Sequence, residues 1–132
     1  MTRRMLDTNT VGYIMRADPR ALARLAAIPE SSVCASAVTE GEVRFGLAKR
    51  GAGLARRAAI DAFFETIDVL PWTSATAAVY GRLRADLQRL GRPLAPLDTM
   101  IAAHALEAGA VLVTSDRALL GAPGLTCEDW LA

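Results

Sequence analysis

Short apolar runs alternate with helical stretches along this chain, and that alternation leaves few folds open to it. Met5-Leu6-Asp7, Ser32-Val33-Cys34-Ala35, Ile67-Asp68-Val69-Leu70-Pro71 and Val111-Leu112-Val113-Thr114 read as short buried strands. Leu125-Thr126-Cys127 adds a candidate fifth. Helical stretches separate them: Thr8 to Arg16, a second from Asp18-Pro19, Ser36 or Ala37 to Arg50, Leu54 to Thr66, Thr73 to Leu90, and Leu97 to Ala108. Pro19 stands at a first-turn position, where its missing N–H is not needed. Gly51 and Gly109 stand where helices stop. Strands alternating with helices predict an α/β protein with a parallel sheet covered on both faces. No repeat, low-complexity tract or linker divides the 132 residues, so a single domain over 1–132 is expected.

Composition narrows the function classes. Hydrophobic residues make up 52% of the chain, many of them Ala, which suits closely packed helices. A net charge of +1 excludes a global basic field for nucleic acid. The cations are fourteen Arg and one Lys, Lys49, so any phosphate contact must come from local Arg patches, with Arg44, Arg50 and Arg117 as candidates. Cys34 and Cys127 are far apart and fit no metal-binding spacing. Met1-Thr2-Arg3-Arg4 leads directly into a strand rather than into a secretory apolar segment. No apolar run reaches the length of a bilayer span. A cytosolic, reducing compartment and no membrane partner are therefore expected.

Four acids stand where carboxylates are costly to desolvate. Asp7 ends the first apolar run, Asp116 follows the strand Val111–Thr114, Asp98 opens an apolar helix, and Glu42 sits within a helical pattern. Each has an ordinary structural explanation to set against a functional one. Asp7, Asp98 and Asp116 suit helix N-caps or a helix dipole, and Asp116 has a neighbouring cation in Arg117. Glu42 competes with Glu40. Helical projection places Glu40 four residues before Arg44, a favourable surface pair, and leaves Glu42 on the face of Val38, Phe45 and Gly46. Sites in open α/β sheets form at the carboxyl ends of strands, and Asp7 and Asp116 lie just past two such ends. A hard divalent cation is the usual compensator for several carboxylates together.

Other chemistries lack their residues. His104 is the lone histidine, in an Ala-rich helix, and reads as a packing residue. Without partner His or Cys there is no zinc site. There is no nucleophile elbow, P-loop or Rossmann glycine fingerprint. Trp72 and Trp130 read as packing anchors.

The segments Leu6-Asp7-Thr8-Asn9, Thr39-x-x-Glu42-Val43-Arg44-Phe45-Gly46, Leu97-Asp98-x-x-Ile101-Ala102-Ala103-x-Ala105 and Val113-Thr114-Ser115-Asp116 resemble, in that order, the PIN-domain nucleases. The likeness extends to the VapC toxins of bacterial toxin–antitoxin pairs and covers essentially the whole chain. It implies a three-layer α/β/α sandwich with a four- to five-stranded parallel sheet. It places the family's acids on Asp7, Glu42, Asp98 and Asp116, and its polar helpers on Asn9 and Thr114. One departure concerns Arg117-Ala118-Leu119-Leu120, where the family often has a further acid and a Phe.

The resemblance implies endonucleolytic cleavage of RNA, leaving a 5′-phosphate and a 3′-hydroxyl. It also implies a homodimer and a cognate antitoxin. Mg²⁺ or Mn²⁺ is the expected cofactor, with Asp7 and Asp98 as principal ligands and Asp116 completing the metal site. Glu42 is expected to bind a second ion or orient the nucleophile. Asn9 is expected to hold a carboxylate in place. The acids should raise one another's pKa values in the metal-free protein. The helices from Pro19 to Ala27 and from Leu54 to Thr66 offer apolar surface for an antitoxin, or else are simply core. Two alternatives stand beside this reading: a housekeeping RNA-processing nuclease without antitoxin, and a non-catalytic interaction module of the same fold.

Overall fold

The computed structural model describes residues 2–132, so Met1 of the N-terminal reading lies outside the described residues. Five parallel strands form one sheet: β1 (Arg4–Leu6), β2 (Val33–Ser36), β3 (Asp68–Leu70), β4 (Val111–Val113) and β5 (Cys127–Glu128). Their spatial order is β3-β2-β1-β4-β5. The helices are α1 (Thr8–Met15), α2 (Pro19–Ala26), α3 (Ala37–Arg50), α4 (Leu54–Thr66), α5 (Ser74–Arg89), α6 (Pro96–Ala108) and α7 (Arg117–Leu120). A short 3₁₀ turn, Glu30–Ser32, leads into β2.

The sheet is all-parallel, as the alternation predicts, and its central strands are apolar on both faces. Successive strand residues point to opposite faces. Met5 faces a core with Cys34, Leu112, Leu83, Leu87, Ile101 and Leu119, formed under α5, α6 and α7. Leu6 faces the other core, with Ala35, Val113, Ile14, Phe64 and Trp130, formed under α1 to α4 and the C-terminal tail. This is the three-layer sandwich.

Local chemistry sets the helix ends. Asp7, Asp18, Ser36, Thr73 and Asp116 each accept a backbone N–H as N-caps. Gly51 and Gly109 stop α3 and α6 in the left-handed conformation, at φ 62° and 65°. Helix α6 begins at Pro96 rather than Leu97, with Pro in the first turn. Strand β5 is only Cys127–Glu128, later than Leu125–Cys127, because only those two residues pair with Leu112 and Val113 of β4.

The strand order reverses direction at β1, whose neighbours are β2 and β4. Asp7 N–H donates to the Val113 carbonyl (3.1 Å), so the two chains leave the sheet side by side. A crevice at the carboxyl ends of such strands is where open parallel sheets bind ligands. Cys34 and Cys127 are free thiols, and burial pushes Cys34 up to about 11, which keeps it unreactive.

Candidate active site

Four segments bring acids to this edge. Asp7 follows β1, Asp116 follows β4, Asp98 lies in the first turn of α6, and Glu42 lies within α3. Their charges meet at Asp98. Burial first, then the negative charges of Asp116, Glu42 and Asp7, push the Asp98 carboxyl above its ordinary value. The structure therefore brings Asp7, Glu42 and Asp116 within electrostatic reach of Asp98.

Three of the four have one oxygen held by the protein. Asp7 is buried, at 4% exposure, and its Oδ1 accepts from Thr10 N–H (2.8 Å). Asp116 Oδ1 accepts from Ala118 N–H (2.9 Å). Glu42 Oε1 accepts from Thr8 Oγ1 (2.6 Å). Capping and function thus coexist at Asp7 and Asp116, since each cap engages one oxygen. Asp116 makes no ion pair with Arg117 among the described residues.

The polar helpers divide. Thr114 Oγ1 accepts from Asp116 N–H (3.1 Å), which fixes the backbone that carries the acid. Asn9 does not match its expected role: it is exposed in the first turn of α1, and no carboxylate bond to it is found among the described residues. Its neighbour Thr8 holds Glu42 instead, because the packing of α1 on α3 turns Thr8 toward that helix. Ser115 Oγ donates to Asp129 (2.7 Å) and so ties the loop after β4 to the C-terminal tail. Sequence reasoning missed Thr8 and the Ser115–Asp129 tie. Adjacency to Asp7 and Asp116 was the only signal.

Glu40 and Glu42 separate as the helical projection predicts. Glu40 pairs with Arg44 (2.9 Å), and Arg44 also pairs with Asp61 (2.8 Å). Arg44 is therefore engaged on the surface of α3 and α4. Arg50 ends α3, eight residues beyond Glu42 and about 12 Å further along the helix. Arg117 is exposed and is the candidate cation next in sequence to one of the acids, Asp116.

The donor set suits a hard cation. All four ligand candidates are carboxylates, and His104 and both cysteines lie elsewhere in the packing. Among the described residues no three ligating side chains converge as a finished metal cage. The fields of Asp7, Glu42 and Asp116 are nevertheless felt at Asp98. A small octahedral ion such as Mg²⁺ keeps several waters and takes few protein carboxylates, so it needs no such cage. On the chemistry of the donor set, the residues fit the ion.

The raised Asp98 carboxyl has a consequence for stability. The folded protein holds this proton more tightly than the unfolded chain does. By linkage, stability falls as pH rises from the ordinary carboxylate range through the raised folded value. Asp98→Asn removes that charge. In EDTA it should raise the thermal midpoint at neutral pH and flatten the wild-type decline across that window. Melting curves at stepped pH test this, and a lower midpoint for Asp98→Asn at pH 7 would contradict it.

Comparison with known proteins gives one answer at every level. The PIN domain family matches residues 4–124. The chain is 36% identical to the tRNA(fMet)-specific endonuclease VapC of Shigella flexneri, over 98% of this chain and 99% of that one. It superposes on the DNA-bound VapBC of Salmonella typhimurium with a TM-score of 0.91 and 34% identity, covering 98% of this chain and 99% of that one. VapBC-1 of nontypeable Haemophilus influenzae gives 0.87 at 28% identity, covering 99% and 100%. The chain belongs to the PIN-domain family, on its VapC branch.

Proposed function

We propose that this protein is a Mg²⁺- or Mn²⁺-dependent endoribonuclease and the toxin of a type II toxin–antitoxin pair. The observation that carries the reading is the joint field of Asp7, Glu42 and Asp116 at Asp98, on the carboxyl edge of β1 and β4. A concentration of negative charge repels an RNA phosphate unless a cation lies between them. Asp7, Asp98 and Asp116 would hold that cation, and Glu42 would hold a second or orient the nucleophile. When bound, such an ion acidifies water and neutralises charge on the phosphate.

The protein's own groups do the positioning. Thr10 N–H and Ala118 N–H fix Asp7 and Asp116 through one oxygen each, and the second oxygen of each has no hydrogen-bond partner among the described residues. Thr8 O–H fixes Glu42 in the same way. Thr114 orients the backbone of Asp116. These tethers pre-organise the acids, so little ordering is left to binding. Arg117, next in sequence to Asp116, would meet an RNA phosphate flanking the site.

The antitoxin reading rests on the relatives and on a groove. The Salmonella and Haemophilus relatives are VapBC complexes. Between α2 and α4 lies a groove of about 470 Å³, lined by Leu22, Leu25, Ile28, Val33, Phe63 and Ile67. An apolar segment of an antitoxin fits it. Of the two helices expected to be either core or binding surface, α4 buries Ile60 and Phe64 in the core, while α2 leaves Leu22 exposed. The homodimer expected from the family stands with this reading.

The test uses purified protein and RNA with Mg²⁺, Mn²⁺ or EDTA, followed by mapping of the cleaved ends. Cleavage in either metal and none in EDTA, leaving 5′-phosphates, supports the reading. Absence of cleavage in both metals overturns it. Co-purification with the product of an adjacent small gene tests the antitoxin and separates a toxin from a housekeeping nuclease. Leu22→Glu, at an exposed position, should leave cleavage intact and weaken that complex about tenfold or more.

A further inference from the structure

Helix α6 carries a second polar residue that the acid cluster does not use. His104 is 2% exposed and lies on the packed side of the helix. Its Nδ1 is 2.7 Å from Ser36 Oγ. Ser36 is the N-cap of α3, and the same Oγ accepts from Val38 N–H (3.1 Å). The Pro71 backbone acts on the ring in the sense that favours a bound proton. A carbonyl only accepts, which favours the tautomer with its hydrogen on Nε2. With the hydrogen on Nε2, Nδ1 is a lone pair to which Ser36 O–H donates.

In that tautomer a directional chain runs from Val38 N–H to Ser36 Oγ and from Ser36 O–H to His104 Nδ1. Burial favours the neutral ring that this chain requires, and it outweighs Glu107, the ionisable group acting on it from the same helix. Trp72 packs edge-on against the imidazole, with centroids 5.7 Å apart, and shields it. Three segments meet here: the β2–α3 junction, α6 and the β3–α5 loop.

We propose that His104 is a positioning residue that sets the placement of α3 against α6, and through them of Glu42 against Asp98. Glu42 is six residues from Ser36 on α3, and Asp98 is six residues from His104 on α6. Each acid is therefore about 9 Å along its helix from the shared hydrogen bond. A small rotation at the junction moves both. Misplacement of about 1 Å at a reacting centre costs up to ~10²-fold in rate. This proposal rests on the nuclease reading above.

The test compares His104→Leu, His104→Asn and Ser36→Gly in the full chain, with thermal midpoints measured for each. Leu keeps the volume and loses the acceptor. Asn keeps an acceptor near the position of Nδ1. Gly at an N-cap costs only a few tenths of a kcal/mol and removes the hydroxyl. His104→Leu and Ser36→Gly should each lower kcat about tenfold with KM for RNA unchanged. The double variant should be no slower than the slower single. His104→Asn should recover most of the rate. Unchanged kcat in folded His104→Leu, or fully additive losses, would overturn the proposal. Nitrogen-15 NMR of metal-free wild type should show the neutral Nε2–H tautomer, and the Nδ1–H tautomer would overturn it equally. That reading needs no cleavage, so failure of the nuclease assignment and failure of this one leave different records.

Discussion

Asp7→Asn should abolish Mg²⁺-dependent RNA cleavage, by about 10²-fold or more, while leaving thermal stability near wild type. Even residues that only support metal ligands are worth 10- to 100-fold, and Asp7 is proposed as a ligand itself. The substitution is informative because Asp7 has two roles. Its Oδ1 caps α1 through Thr10 N–H, and Asn caps about as well as Asp. Only the charge is lost. Asp7→Ala loses the cap as well and should cost about 1 kcal/mol more in stability. Glu40→Gln is the matched control: Glu40 belongs to the surface pair with Arg44, so cleavage should persist with a loss of a few tenths of a kcal/mol. Cleavage retained by Asp7→Asn, in a preparation free of contaminating nuclease, would remove Asp7 from the site.

Trp130→Ala should destabilise the protein by about 3–5 kcal/mol, a large share of the roughly 5–15 kcal/mol that holds a domain of this kind together. Trp130 is two residues from the end of the sequence given, yet only 2% exposed. It packs with Leu6, Ile14, Ala21 and Val113 beneath the sheet. Its Nε1–H donates to Glu128 Oε1 (3.1 Å), and Arg4 Nε donates to the same carboxylate (2.9 Å). Removing the indole therefore leaves a cavity and also loosens the pair that binds the edge strand β5 to β1. Trp130→Phe keeps much of the volume and loses the hydrogen bond, and should cost far less. Urea denaturation measures both. A loss under 1 kcal/mol for Trp130→Ala would show that the tail is not part of the core.

Much of this was visible in the sequence because the signals were local. The strands are short apolar runs between capping residues, and Gly51 and Gly109 close helices where the pattern ends. Glu42 was separable from Glu40 because a helix fixes which residues share a face. The strand order was not legible, since nothing local states that β1 lies between β2 and β4. The same limit explains Thr8 and Asn9. They are adjacent and both polar, and only the packing of α1 on α3 decides which one reaches Glu42. Arg44 looked available for RNA until the fold brought Asp61 against it. His104 was correctly read as packed, but its partner Ser36 lies 68 residues away, beyond the reach of any periodicity.

The central place of β1 also bears on how the protein is made. This strand leads the chain, yet one of its two neighbours is β4, and Thr10 O–H bonds to the Val113 carbonyl across 103 residues. The β1–β4 pairing can form only after the residues of β4 have been synthesised. Asp116 arrives after that, and Trp130 later still. A partly synthesised chain therefore holds Asp7 without the strand that brings Asp116 beside it. The acid cluster around Asp98 is thus complete only once the chain has been made through Asp116 and β4 has paired with β1.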